Sequence, residues 1–107
     1  MDNSDFVMVF SSAGSQIEAN HIAETLIEKK LAACVSILPG VTSHYCWKDK
    51  RESSYEVTII IKSLRSKFED LKKEIIELHS FEVPEILMVP VLDGSKDYLS
   101  WLKEVMA

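Results

Sequence analysis

Residues 31–47 read LAACVSILPGVTSHYCW, and the fold turns on how this stretch is read. Leu31 to Leu38 is apolar and rich in strand-forming residues. Beyond Pro39-Gly40 the pattern alternates. Val41, Ser43, Tyr45 and Trp47 share one face, and Thr42, His44, Cys46 and Lys48 share the other. The stretch therefore reads as one long strand, bent at Pro39-Gly40. Proline has no N–H to give to a ladder, so this strand belongs at a sheet edge. It is too long for one small sheet, and an unpaired edge of that length must be covered.

Upstream, Phe6-Val7-Met8-Val9-Phe10 is a continuous apolar run and reads as a strand buried on both faces. Ser11 to Ser15 reads as a turn. Ser15-Gln16-Ile17-Glu18 fits a capping box, with a serine oxygen for an orphan amide and a glutamate reaching back. Ala19, Ile22, Ala23, Leu26 and Ile27 then form the inner stripe of a helix closed by Lys29 and Lys30.

Downstream, Lys48 to Ser54 is polar and reads as a turn, and Tyr55 to Lys62 as a third strand. A second capping box, Ser66-Lys67-Phe68-Glu69, opens a helix with Phe68, Leu71, Ile75 and Leu78 on its inner stripe. His79 to Pro84 forms the exit loop, and Ile86 to Leu92 a fourth strand containing Pro90. Asp93-Gly94-Ser95 turns into a last helix, with Ser95 as its cap. Tyr98, Leu99, Trp101, Leu102 and Val105 are expected to pack that helix down.

The order β-α-β-β-α-β plus a C-terminal helix is that of a split βαβ, ferredoxin-like α+β sandwich. Each half leaves room for one strand between its own two. Right-handed crossovers then favour an antiparallel sheet of order 4-1-3-2. Pro39 and Pro90 fall in strands 2 and 4, the two edges of that order.

The 107 residues fit a single domain spanning 1–107, and 47% hydrophobic content is enough for a core. A net charge of -5 argues against a nucleic-acid partner, which calls for a basic face. Apolar runs are strand-sized, far below the ~20 residues that span a bilayer. Residues 1–5 are acidic, unlike the basic start of a signal peptide, so a cytoplasmic location is expected. Cys34 and Cys46 match no zinc or redox spacing and read as free thiols. No nucleophile elbow, P-loop, dinucleotide fingerprint or HExxH motif occurs, and nothing in the residues demands catalysis.

Three segments carry a family resemblance: Leu31-Ala32-Ala33-Cys34-Val35 continuing through Pro39-Gly40-Val41-Thr42-Ser43 to Tyr45 and Trp47, then His79-Ser80-Phe81-Glu82-Val83-Pro84-Glu85, and Tyr98-Leu99-Ser100-Trp101. Together with Glu56 and Lys62 in the third strand, they resemble the CutA family of divalent-cation tolerance proteins over residues 6–104. The resemblance implies a non-enzymatic homotrimer that binds a small ligand or a divalent metal, copper first. The alternative function is a signalling module like the trimeric PII proteins, binding a metabolite or a protein partner at subunit clefts. This chain departs from the family at Ser80 and Phe81, where Pro and Tyr are usual. A metal site proposed for some members uses a strand-1 cysteine and adjacent histidines. The matching positions here are around Phe10 and Ser11, and Leu78 with His79, so only His79 keeps a ligand type.

The candidate metal ligands are His79, Cys34 and Glu82. Imidazole and thiolate suit copper. The plainer readings are a histidine at a helix end, a buried thiol acting as a small hydrophobe, and a solvated carboxylate. The candidate cleft residues are Tyr45, Trp47, Lys62, Glu85, Tyr98 and Trp101. The four aromatic residues suit either a pocket or a subunit interface. Lys62, at the end of an apolar strand, needs a partner, for which Glu56, Glu85 or a bound anion is the expectation. His21 and His44 are expected at the surface.

Overall fold

Alternation over residues 56–63 sets the sheet. Val57, Ile59, Ile61 and Ser63 are buried, and Glu56, Thr58, Ile60 and Lys62 are half-buried on the opposite side. The computed structural model describes residues 5–107. Along the chain it forms β1 (Phe6–Ala13), α1 (Gln16–Glu28), β2 (Cys34–Trp47), β3 (Lys50–Leu64), a 3-10 turn (Arg65–Lys67), α2 (Phe68–Leu78), β4 (Leu87–Pro90) and α3 (Lys96–Val105).

The strands pair as one antiparallel sheet of order β2-β3-β1-β4, the expected 4-1-3-2 read from the other edge. Both prolines lie in the edge strands. Val7, Val9 and Ala13 meet Val57, Ile59 and Ile61 on one face. Ala19, Ile22 and Leu26 of α1 and Leu71 and Ile75 of α2 cover that face and complete the main core. Ala23 and Ile27 of the expected stripe are only partly covered, because the buried positions follow the narrower i, i+3, i+7 line.

The second face is covered at one end only. Leu99 and Leu102 of α3, with Met106 just past its end, close over Phe6, with Ala33, Leu64 and Val91 at the margin. Tyr98, Trp101 and Val105 stay 41%, 42% and 39% exposed, contrary to the expectation that they pack the helix down. The remainder of this face is open, an apolar patch bordered by Ser36, Thr58 and Lys62. Met8, Phe10 and Ile60 are half-buried there, so β1 is fully enclosed on one face alone.

Several boundaries differ from the sequence reading. β1 continues through Ser11, Ser12 and Ala13, which pair with Ile59, Thr58 and Val57, so the turn shrinks to Gly14 and Ser15. Most of the polar stretch 48–54, from Lys50 onward, is strand rather than turn. Only Lys48 and Asp49 reverse the chain, both at positive φ, as a tight two-residue hairpin requires. Polarity there marks a ribbon wetted on both faces. α2 begins at Phe68 after the 3-10 turn and has no side-chain cap, so Ser66 does not serve as one. Ser95 precedes α3 without a capping hydrogen bond. β4 is confined to Leu87–Pro90.

At Pro39-Gly40 the ladder steps from Leu38↔Thr58 to Val41↔Glu56, so two residues of β2 face Val57 alone. This is a β-bulge, and Gly40 adopts φ +80, which suits a residue without Cβ. Cys34, Ser36 and Leu38 precede it on the open face. The extra residue shifts the parity and puts Val41, Ser43, Tyr45 and Trp47 on that same face.

Ser11 is fully buried against the helices, opposite Ile59, and its hydroxyl has no hydrogen-bond partner among the described residues. An unsatisfied buried hydroxyl costs desolvation with no return, so Ser11→Ala is expected to leave stability unchanged or raise it by about 1 kcal/mol. Ile59→Ala, which empties the neighbouring core position, is expected to lose about 2–5 kcal/mol. Chemical denaturation of both variants checks this. A loss above about 1 kcal/mol for Ser11→Ala would show that the hydroxyl has a partner.

Candidate functional site

α2 ends where His79 leaves the helix, its backbone in an extended conformation and its N–H still bonded to Ile75. The imidazole then turns inward, and its side chain is fully buried. The Phe81 N–H donates to Nδ1 at 3.0 Å, so Nδ1 carries no proton. Nε2 is therefore the protonated nitrogen, and it donates to the carbonyl of Ser12 in β1 at 2.5 Å. Both ring nitrogens are occupied by the fold.

Glu18 completes the arrangement from α1. Ser15 caps this helix by accepting the Glu18 N–H at 3.1 Å. The Glu18 carboxylate reaches back past the cap to the Gly14 N–H at 3.1 Å. Its other oxygen accepts the Ser80 N–H at 2.8 Å and lies 4.0 Å from His79 Nδ1. Burial alone would raise the Glu18 pKa. The hydrogen bonds from Ser80 and Gly14 outweigh it and hold the carboxyl below its usual range. Glu18 and His79 thus clamp the start of the 79–85 segment to the first strand and the first helix. The Phe81 ring lies 4.6 Å from the imidazole, centroid to centroid.

The clamped segment forms one wall of an open cleft of about 680 Å3, contributing Phe81, Glu82, Val83 and Glu85. The hairpin forms the other wall with Ser43, His44, Tyr45, Trp47 and Glu56, and Ser12 and Ser80 also line the cleft. Ser54 donates to Glu56 at 3.0 Å, and the Tyr45 hydroxyl lies 3.4 Å from Ser54 Oγ. No lysine or arginine is among the lining residues. Glu82 and Glu85 have neither a hydrogen-bond nor an ion-pair partner among the described residues.

Of the expected cleft residues, Tyr45, Trp47 and Glu85 line this cavity and Lys62, Tyr98 and Trp101 do not. Lys62 pairs across the ladder with Cys34, and its Nζ lies 4.0 Å from Cys34 Sγ, so neither Glu56 nor Glu85 is its partner. Glu56 is six residues along the same strand, about 20 Å away. Tyr98 and Trp101 sit tilted against each other on α3, their centroids 5.5 Å apart.

The three expected metal ligands do not converge. Cys34 is level with Lys62 and the His79 contact at Ser12 with Thr58, four residues or about 13 Å along β3. Glu82 faces the cleft, which His79 does not line. To ligate a metal, His79 would have to release either Ser12 or Phe81. No group of three or more His, Cys, Asp or Glu side chains close enough to hold a metal ion occurs among the described residues. Glu18 is the site residue that sequence reasoning missed. The capping box pointed to its helix end, and nothing local announces its bond to Ser80, sixty-two residues away.

The depressed Glu18 pKa has a direct consequence. A carboxylate whose folded pKa lies below its unfolded value adds stability above the unfolded pKa, and that stability disappears as pH falls through the folded one. The melting temperature of the wild type is expected to decline once pH drops below about 4.5. Glu18→Gln should melt a few degrees lower than wild type at pH 7, and the gap should close on acidification. A gap that stays constant from pH 7 to pH 3 would show that the carboxylate charge does not contribute.

The family model for the CutA1 divalent ion tolerance protein matches residues 7–105. The divalent-cation tolerance protein CutA of Yersinia pestis (strain Pestoides F) is 42% identical over 99 residues, covering 92% of this chain and 83% of that protein. The structure of CutA from Xylella fastidiosa superposes with a TM-score of 0.94 at 32% identity, covering 97% of this chain and 100% of the other. The periplasmic divalent cation tolerance protein CutA from Archaeoglobus fulgidus superposes with a TM-score of 0.93 at 36% identity, covering 95% and 99%. None of these names is that of an enzyme. With a family model spanning nearly the whole sequence and relatives this similar over nearly their whole length, the chain belongs to the CutA1 divalent ion tolerance family.

Proposed function

We propose that this chain acts in divalent-cation tolerance as a non-catalytic homotrimer that takes a cation or small cationic ligand into the cleft between the hairpin and the 79–85 segment. The observation that carries this reading is electrostatic. Glu56, Glu82 and Glu85 line the cleft and no lysine or arginine does. Carboxylates gathered at one concavity raise the local concentration of cations. Copper stands highest in the affinity order for nitrogen and sulfur ligands. Here the cleft offers it the carboxylates and His44 but no sulfur, so binding is weak.

Self-association is supported by what α3 leaves uncovered. Leu38, Leu87 and Val89 are 44%, 59% and 38% exposed around Phe10 and Ile60 on one sheet face. A contiguous apolar face of this kind is an interaction surface, and copies of the chain can bury it symmetrically. Light scattering of the wild type should give three times 12.2 kDa. Ile60→Glu, which puts a charge in the middle of the face, should give a lower mass. A monomeric wild type at micromolar concentration would refute the trimer.

Calorimetric titration with copper and zinc tests the cleft. Wild type should bind weakly, and Glu82→Gln/Glu85→Gln should lose most of that binding. His79→Asn should retain it, because the ring is not in the cleft. If His79→Asn abolishes binding and the glutamine pair does not, the imidazole is the ligand and the cleft reading fails.

A further inference from the structure

The cleft's carboxylates are arranged wrongly for a point ion and well for an extended one. A metal ion needs its ligands within about 2–2.6 Å of one centre. Glu56, Glu82 and Glu85 line one cavity yet belong to no cluster of metal-holding side chains among the described residues. Glu56 stands on the hairpin wall, and Glu82 and Glu85 stand on the opposite wall. An elongated cation with more than one positive charge can meet carboxylates on both walls at once.

The surfaces between the carboxylates are aromatic. Tyr45, Trp47 and Phe81 line the same cavity and are 44%, 40% and 38% exposed. Ring faces attract ammonium groups and also accept alkyl chains. The hairpin itself shows this attraction. Lys48 Nζ, a primary ammonium on an alkyl stem, sits 5.9 Å from the centroid of the Trp47 ring, although Lys48 does not itself line the cleft. The volume of about 680 Å3 is in the range of small-molecule sites and far larger than a bare ion requires.

We propose that the cleft binds an aliphatic polyamine, a flexible alkyl chain bearing two or more ammonium groups. Its charges meet Glu56 on one wall and Glu82 and Glu85 on the other, and its methylene groups lie against Tyr45, Trp47 and Phe81. The proposal rests on the reading of the cleft as a cation site and names the class of cation.

The test is calorimetric titration of the wild type in its native assembly with spermidine, with 1,8-octanediol as an uncharged chain and magnesium as a compact dication. Spermidine should bind at one per chain with a dissociation constant below about 1 mM at low ionic strength, and octanediol and magnesium should bind far more weakly. Glu82→Gln/Glu85→Gln should weaken spermidine roughly tenfold or more. The same change in net charge on α1, Glu24→Gln/Glu28→Gln, should alter it less than twofold, by about the effect of screened surface charges. Equal losses in the two glutamine pairs would mean general attraction to an acidic protein and would overturn the proposal. Spermidine no tighter than magnesium would also overturn it, while leaving the divalent-cation reading standing if copper or zinc still binds through Glu82 and Glu85. Absence of any cation binding would remove both.

Discussion

Pro39 and Gly40 together stand opposite Val57, and that one inserted residue decides which way the hairpin faces. In an unbroken strand, side chains two apart share a face. Cys34, Ser36 and Leu38 would then continue to Gly40, Thr42, His44 and Cys46. Tyr45 and Trp47 would face the other way, and the cleft would have one wall. The bulge shifts the count by one, so the open face of the sheet passes without a break into the aromatic face of the hairpin. Gly40 permits this because its φ of +80 lies where a side chain is strained, and nothing stands within 4 Å of where a Cβ would be. The constraint at this position is backbone conformation rather than packing.

The opposite wall depends on a different kind of constraint. The 79–85 segment contributes no strand and no helix, so side chains must place it. His79 and Glu18 do so by taking up backbone groups of Ser12, Gly14, Ser80 and Phe81. Buried backbone groups demand partners, and here the partners are a neutral imidazole and an ionised carboxylate. The arrangement makes His79 structural. A ring that gives its proton to a strand carbonyl and its lone pair to a loop amide has nothing left for a ligand, and its value lies in where it puts Phe81.

The sheet order was legible because it follows from short-range patterns. Strand-helix alternation, crossover handedness and two prolines at the edges all agree, and none needs a distant contact to be known. The site was legible only where local pattern carried it. Tyr45 and Trp47 were assigned to a common face by alternation, and they line the cleft. Lys62, Tyr98 and Trp101 were grouped with them by chemistry alone, and the fold places them elsewhere. The bond from Glu18 to Ser80 had no signal, since a capping glutamate looks the same whether one of its oxygens is spent on its own helix or both are. The polar hairpin misled for a related reason. A ribbon exposed on both faces has the composition of a turn, and only the positive φ at Lys48 and Asp49 marks where the chain reverses.

The open sheet face carries two regions with opposite chemistry. Its middle, around Phe10, Ile60, Leu38, Leu87 and Val89, is apolar and gains by excluding water. Its far end, at Ser43, Tyr45, Glu56 and the facing segment, is acidic and aromatic. A surface that buries the first while leaving the second open places the cleft at the rim of the interface. Carboxylates at such a rim keep part of their hydration, so they do not carry the heavy cost of buried unpaired charge. Their field is also less screened than on a flat surface, because the protein on either side displaces high-dielectric water. The same bulge joins the two regions, because it sets the aromatic face of the hairpin in line with the open face of the sheet.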